Sequence, residues 1–118
     1  MPMTRLTIRI DFDAQRSLGH GKIRLLEMVD RHGSIASAAR ALGMSYRRAW
    51  LLVDEVNRMF AEPAITTQLG GRGGGSARLT DFGRQLVATY RGIETQSYTT
   101  YAAAIAELER RLTPAASP

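Results

Sequence analysis

Two short amphipathic segments joined by a single glycine constrain this chain more than any other feature. Ser34 precedes residues 35–42, where Ile35, Ala38, Ala39 and Leu42 recur at helical spacing. Ser45 precedes residues 46–60, where Ala49, Leu52, Val53, Val56, Met59 and Phe60 form one apolar stripe, with Arg47, Asp54 and Arg58 on the far side and Arg48 and Trp50 on the shoulders. A serine just before a helix accepts a hydrogen bond from an N–H that the first turn leaves free, and glycine supplies the left-handed residue that ends a helix. With Gly43 as the connector, the spacing predicts a helix-turn-helix. Ala39 has a side chain small enough for close helix approach, and Met44, Ala49 and Leu52 are expected to be buried. Any αα-hairpin would share this spacing, so the flanking segments decide what it means.

Residues 5–12 alternate strictly, with Leu6, Ile8, Ile10 and Phe12 on one face and Arg5, Thr7, Arg9 and Asp11 on the other, as in a half-buried strand. A polar connection over 13–21 leads to a predicted helix over 22–32, whose Ile23, Leu26 and Val29 share a stripe and which Gly33 terminates. Beyond 46–60, Glu62-Pro63 breaks the helix and residues 64–69 read as a short β-branched strand. Residues 70–76 hold five glycines around Arg72, more than a tight turn uses, so a long mobile loop is expected before a return strand over 77–79. Thr80 then caps a long helix reaching about Leu112, and the tail 113–118 is expected to be disordered. That helix repeats its apolar residues every eleven positions, about 3.67 per turn, which keeps the stripe nearly straight. At ~1.5 Å per residue it would span roughly 50 Å, longer than so small a domain can cover. Its far part therefore needs a partner, and Gly92 is the expected place for a bend.

The expected fold is mainly α with a small β-hairpin wing: a winged helix-turn-helix over 1–79 with an N-terminal strand, then a long C-terminal helix over 80–112 for dimerisation. In that arrangement the helix over 46–60 enters the major groove of DNA and the hairpin loop reaches the backbone or minor groove alongside. The charge agrees. Of 16 basic residues 15 are Arg, the formal charge is +5, and Arg31, Arg40, Arg47 and Arg48 occur before Asp54 without one carboxylate. Clustered guanidinium forks suit phosphates and guanine edges, although solvated faces of an Arg-rich protein would look the same.

Other classes are disfavoured. With no Cys, disulfides and thiolate metal sites cannot form, and His20 and His32, both expected as surface or capping residues, cannot by themselves make a three-ligand zinc site. No cofactor, metal or catalytic residue is expected, since no triad is recognisable and the glycine loop lacks the Lys-Ser/Thr of a phosphate-binding loop. No apolar run approaches the roughly 20 residues of a membrane helix and no leader is visible, so a cytoplasmic, non-membrane protein is expected.

Arg47 and Arg48, in the first turn of the presumed reading helix, are the foremost candidates for base or phosphate contact. Ser45 and Tyr46 beside them, Ser34, and Arg72 carried between Gly71 and Gly73 complete the DNA-binding set. Trp50 is expected to be partly buried core rather than a DNA contact, and Arg84 and Arg91 either touch DNA or stay solvated. Dimerisation is assigned to Leu86, Tyr90, Ile93, Tyr101, Ile105, Leu108 and Leu112.

The runs SIASAARALGMSYRRAW and GGRGGGSARLTDFGRQL resemble the N-terminal DNA-binding domain of the molybdate-responsive ModE family of bacterial regulators, with a broader likeness to LysR-type regulators through GSxxxAAxxLxxS and LTxxGxxL. The resemblance covers most of the chain. It implies a homodimer on a palindromic operator, held together by the opening strand and the long helix. It also implies molybdate-binding domains of a small oligomer-forming kind, which these 118 residues lack, so molybdate binding is not expected. Two rival readings are a winged-helix protein-interaction module that ignores DNA, and a regulator with an oxyanion held at the dimer interface.

Overall fold

The computed structural model describes residues 4–68 and 75–115. The elements in order are β1 (Arg9–Asp11), β2 (Ser17–Gly19), α1 (His20–His32), α2 (Ile35–Leu42), α3 (Tyr46–Met59), β3 (Ile65–Gln68), β4 (Ser76–Leu79) and α4 (Asp81–Arg110). The helix-turn-helix and its wing form as expected: β3 and β4 pair antiparallel, with Ile65 opposite Leu79 and Gln68 opposite Ser76.

Local chemistry accounts for the helix ends. Ser34 Oγ accepts from Ser37 N at 3.0 Å, Ser45 Oγ from Arg48 N at 3.1 Å and Thr80 Oγ1 from Gly83 N at 2.9 Å, so each cap satisfies one orphan donor. Gly33 and Gly43 hold φ of 79° and 67°, the left-handed region in which a side chain is strained.

Helix α1 is the hub, packing on α2, α3, α4, β2 and β4, and its Ile23, Leu25, Leu26 and Val29 are buried. Ala38, Ala39 and Ala49 are buried where α2 and α3 meet, while Met44 and Leu52 are half-buried at the margin. Each fully buried Leu, Ile or Val contributes about 1.5–3 kcal/mol of transfer free energy, so this cluster dominates the stability. An edge-to-face row of Phe12, Phe60 and Phe82, with centroids 5.9 and 5.2 Å apart, joins the ends of β1 and α3 to the start of α4.

Three features depart from the sequence expectation. Only residues 9–11 of the predicted strand 5–12 lie in a ladder, because their partner is β2, three residues within the supposed connection. Residues 4–8 instead lie against α4, where Tyr90 Oη donates to Ile8 O at 2.6 Å and the Thr4 hydroxyl donates to Glu109. Phe12 is about half exposed rather than inward. Finally, α4 is interrupted at Tyr101 (φ −109°, ψ 16°) and not at Gly92.

The wing is tied to the body at both strands. Asn57 on α3 accepts through Oδ1 from Ala64 N (2.8 Å) and Ile65 N (3.1 Å), and donates through Nδ2 to Ile65 O (3.0 Å). Ala77 N donates to Gly33 O at 2.9 Å, and Thr80 N donates to Ala64 O at 2.9 Å. Gly83 is required here, since a Cβ on it would lie 2.1 Å from Ala64 O.

Candidate nucleic-acid interface

The apolar stripe of α3 seats it on the core, so the residues opposite that stripe are presented outward. Ala49, Val53, Val56 and Met59 face inward; Ser45, Tyr46, Arg47, Arg48, Trp50 and Leu51 are all exposed. Arg47 heads the outermost ridge, followed by Leu51, Asp54 and Arg58. Asp54 pairs with Arg58 at 2.8 Å and Glu55 with Lys22 at 3.2 Å, so the two carboxylates of α3 are neutralised beyond its first turn. Among the described residues neither Arg47 nor Arg48 has a carboxylate partner within salt-bridge distance. A guanidinium so placed keeps its full hydrogen-bonding capacity for an external anion.

The flanks of α3 differ. Arg48 borders a depression shared with Arg9 and Lys22, on the side of β2 and the start of α1. Tyr46 and Trp50 border a narrow cleft whose opposite wall is Ser34, the cap of α2, and Ala36 of α2 with Thr67 and Gln68 of the wing. Ser34 and Ser45 both have their hydroxyl oxygens engaged as caps. Arg78 and Thr66 are exposed and opposite each other on the wing strands. Arg72, Gly71 and Gly73, assigned to DNA contact in the sequence, lie outside the described residues, as does most of the expected loop 70–76.

The structure corrects the reading of Trp50. It is 45% exposed, because the core takes Ala49 and Val53 on its inner side and leaves the indole at the mouth of the cleft. Leu51, 50% exposed, carried a signal that sequence reasoning passed over: an apolar side chain on the ridge between Arg47 and Arg58. Asn57, which holds the wing against α3, was likewise unforeseen.

Arg91 is not a surface cation. Its guanidinium donates to both oxygens of Glu27 (2.7 and 3.1 Å) and to Glu94 at 2.7 Å, which clamps α4 to α1. The Arg91 hydrogen bond and charge hold the Glu27 carboxyl below its usual range. His20 lies within hydrogen-bonding distance of Arg5 (2.9 Å) and Arg91 (3.4 Å), and burial, then those two cations, push its imidazole below the ordinary 6.5. Arg84 binds Asp81 at 2.5 Å and the Leu79 carbonyl, at the start of α4.

Of the residues assigned to dimerisation, Leu86 and Tyr90 are buried in the chain's own core, because the first turns of α4 close over α1 and residue 8. They are spent within one copy. Ile93, Tyr101 and Leu108 are exposed and Ile105 is half-buried along the part of α4 that leaves the body, and Leu112, just past its end, is exposed too. The Cα radius of gyration, 17.2 Å, exceeds the ~13.5 Å of a compact chain of this length for that reason. Among the described residues no group of three or more His, Asp or Glu could hold a metal, and no helix is long and apolar enough to cross a membrane.

Three helices, a β-hairpin packed against the first and bonded to the third through Asn57, and a long terminal helix make this a winged helix-turn-helix protein. Over 114 residues, 95% of the chain, it is 40% identical to the molybdenum transport protein ModE of Azotobacter vinelandii. Over 77 residues it is 46% identical to the molybdenum-pterin-binding protein MopA of Rhodobacter capsulatus, and over 69 residues 36% identical to the DNA-binding transcriptional dual regulator ModE of Escherichia coli K12. The chain is a homologue of the ModE proteins, and it spans 41%, 29% and 26% of those three relatives. No protein-family model matches it.

Proposed function

We propose that the chain is a sequence-specific DNA-binding module of a transcriptional regulator that acts as a homodimer on a palindromic operator, and that it has no enzymatic role. The observation that carries the reading is the first turn of α3, where Arg47 and Arg48 stand exposed and, among the described residues, without a carboxylate partner, on a helix seated on the core through its opposite face. Arg47 reads base edges in the major groove. Arg48, Ser45 and Tyr46 contact the backbone, and Arg72, between Gly71 and Gly73 of the wing loop, follows the adjoining phosphates. Homology to proteins named as transcriptional regulators supports this reading.

The dimer forms through the chain beyond Tyr90, where Ile93, Tyr101 and Leu108 of α4 and Leu112 just past it are apolar, exposed and outside the body's own core. Exposed apolar side chains on both sides of the Tyr101 kink are what a partner chain buries. The relatives' names tie them to molybdenum. In our reading this segment supplies DNA recognition, and a ligand-dependent response, where there is one, arises outside it.

Selection of bound duplexes from a random library tests the proposal. Recovery of an inverted repeat is expected, with affinity falling linearly on a log-log salt plot. A flat salt response, or a sedimentation mass of one chain in dilute solution, would contradict the electrostatic or the dimeric part respectively.

A further inference from the structure

We propose that Leu51 and Trp50 form an apolar reading surface that selects thymine through its C5-methyl group, at a base pair next to the one contacted by Arg47. The inference rests on the DNA-binding reading above and assigns a sequence preference to the same helix.

Four side chains, Tyr46, Arg47, Trp50 and Leu51, line one open depression on the outward face of α3. Three of them are large and apolar, and each is 45–55% exposed. Surface helices ordinarily carry polar residues at such positions, because leaving a leucine or a tryptophan in water forgoes the free energy of burying it. The patch sits on the most positively charged turn of the chain's presumed DNA-facing helix, with Arg47 inside it and Arg48 on the far shoulder. A polyanion is therefore the occupant that both features accept together: the guanidinium pairs with a guanine or phosphate, and the apolar atoms need an apolar group on the same surface. In the major groove the only such group is the thymine methyl.

The spacing sets where it lies. Leu51 is four residues from Arg47, so it is displaced by about 6 Å along the helix axis, under two base-pair steps of ~3.4 Å. The methyl contacted by Leu51 belongs within two base pairs of the base contacted by Arg47. Trp50, one residue back and at the mouth of the cleft to the wing, covers the same methyl from the side and keeps water from it. The nearest carboxylates on the helix are both paired: Asp54, one turn on, is held by Arg58, and Glu55 by Lys22.

Deoxyuridine differs from thymidine by that methyl alone, which makes the test direct. The duplex recovered by random selection with the 118-residue chain is resynthesised with each thymine of one half-site replaced singly by deoxyuridine, and binding is followed by fluorescence anisotropy. Wild-type protein is expected to bind about three- to fivefold more weakly at one or two positions near the Arg47 contact, the effect of one buried methyl group. Leu51→Ala, at a half-exposed position where folding is preserved, is expected to bring that thymine-to-uracil ratio to near one, its affinity for the thymine duplex falling to that of the wild type for the deoxyuridine duplex. Trp50→Ala should reduce it. A ratio that stays at its wild-type value in both variants, an operator without thymine at those positions, or no sensitivity to deoxyuridine in the wild type overturns the proposal. Failure to select any duplex overturns the DNA-binding reading itself, and is distinguished from the other outcomes by the absence of an operator to modify.

Discussion

Replacing Asn57 by alanine removes all three hydrogen bonds that hold the first wing strand to α3, and the loss can be worked from what is left behind. Ala64 N, Ile65 N and Ile65 O lose their partner, and residues 64 and 65 are buried at 0% and 2% exposure. A buried backbone group left unpaired costs about 1–3 kcal/mol. Asn57 itself is half-buried, so water can enter the gap and recover part of that. A net loss of about 2–4 kcal/mol is expected, a large share of the 5–15 kcal/mol typical of a domain. Asn57→Asp retains an acceptor for the two N–H groups but turns a carboxylate oxygen toward Ile65 O in place of the donor, so it should recover only part of the loss. Urea unfolding followed by circular dichroism measures both. The midpoint should fall with the m-value unchanged, since the surface exposed on unfolding is the same. A loss below about 0.5 kcal/mol for Asn57→Ala would show that the wing is held by the packing of Ile65 and Leu79 instead, and the account of Asn57 would be wrong.

Gly83→Ala is expected to destabilise by more than about 2 kcal/mol in thermal unfolding, because the new Cβ lies 2.1 Å from a backbone oxygen that cannot yield without moving the wing; an unchanged melting temperature would refute that. Stability should be pH-dependent through His20. Its proton is bound more weakly in the folded than in the unfolded chain, so its contribution is complete above the ordinary 6.5 and is lost as pH falls below it. In His20→Gln the fall as pH drops below about 6.5 should flatten, and parallel profiles for the two proteins would exclude the mechanism. Glu27, also depressed, adds a second loss as pH drops below its ordinary 4.5, which Glu27→Gln should remove from urea titrations. In DNA binding, Arg47→Ala should lower discrimination between operator and random duplex about ten- to a hundredfold, whereas Arg72→Ala should weaken both alike; equal effects of the two would contradict their assigned roles.

The elements that sequence reading located well are those with local causes. Ser34, Ser45 and Thr80 cap, and Gly33 and Gly43 terminate, through bonds within about four residues, and the stripe of α3 follows from helical geometry alone. The exposed positions of Arg47 and Arg48 were legible for the same reason: the side opposite an apolar stripe faces out. Leu51 was legible too, had the apolar residue on the polar face been weighed. β2 was hidden because three residues of unremarkable composition become a strand only when β1 lies beside them.

Cap residues, turn glycines and apolar periodicity therefore determined, by themselves, where helices begin, end and which side of α3 turns outward, since each acts across one or two turns of chain. Tertiary packing alone decided how much of each stripe one copy consumes: Leu86 and Tyr90 are covered by α1 and residue 8, and Arg91 is taken by Glu27 sixty-four positions away. It also left Trp50 outside, at the cleft. A side chain's burial depends on which distant surface arrives against it, and no periodicity within a segment encodes that arrival.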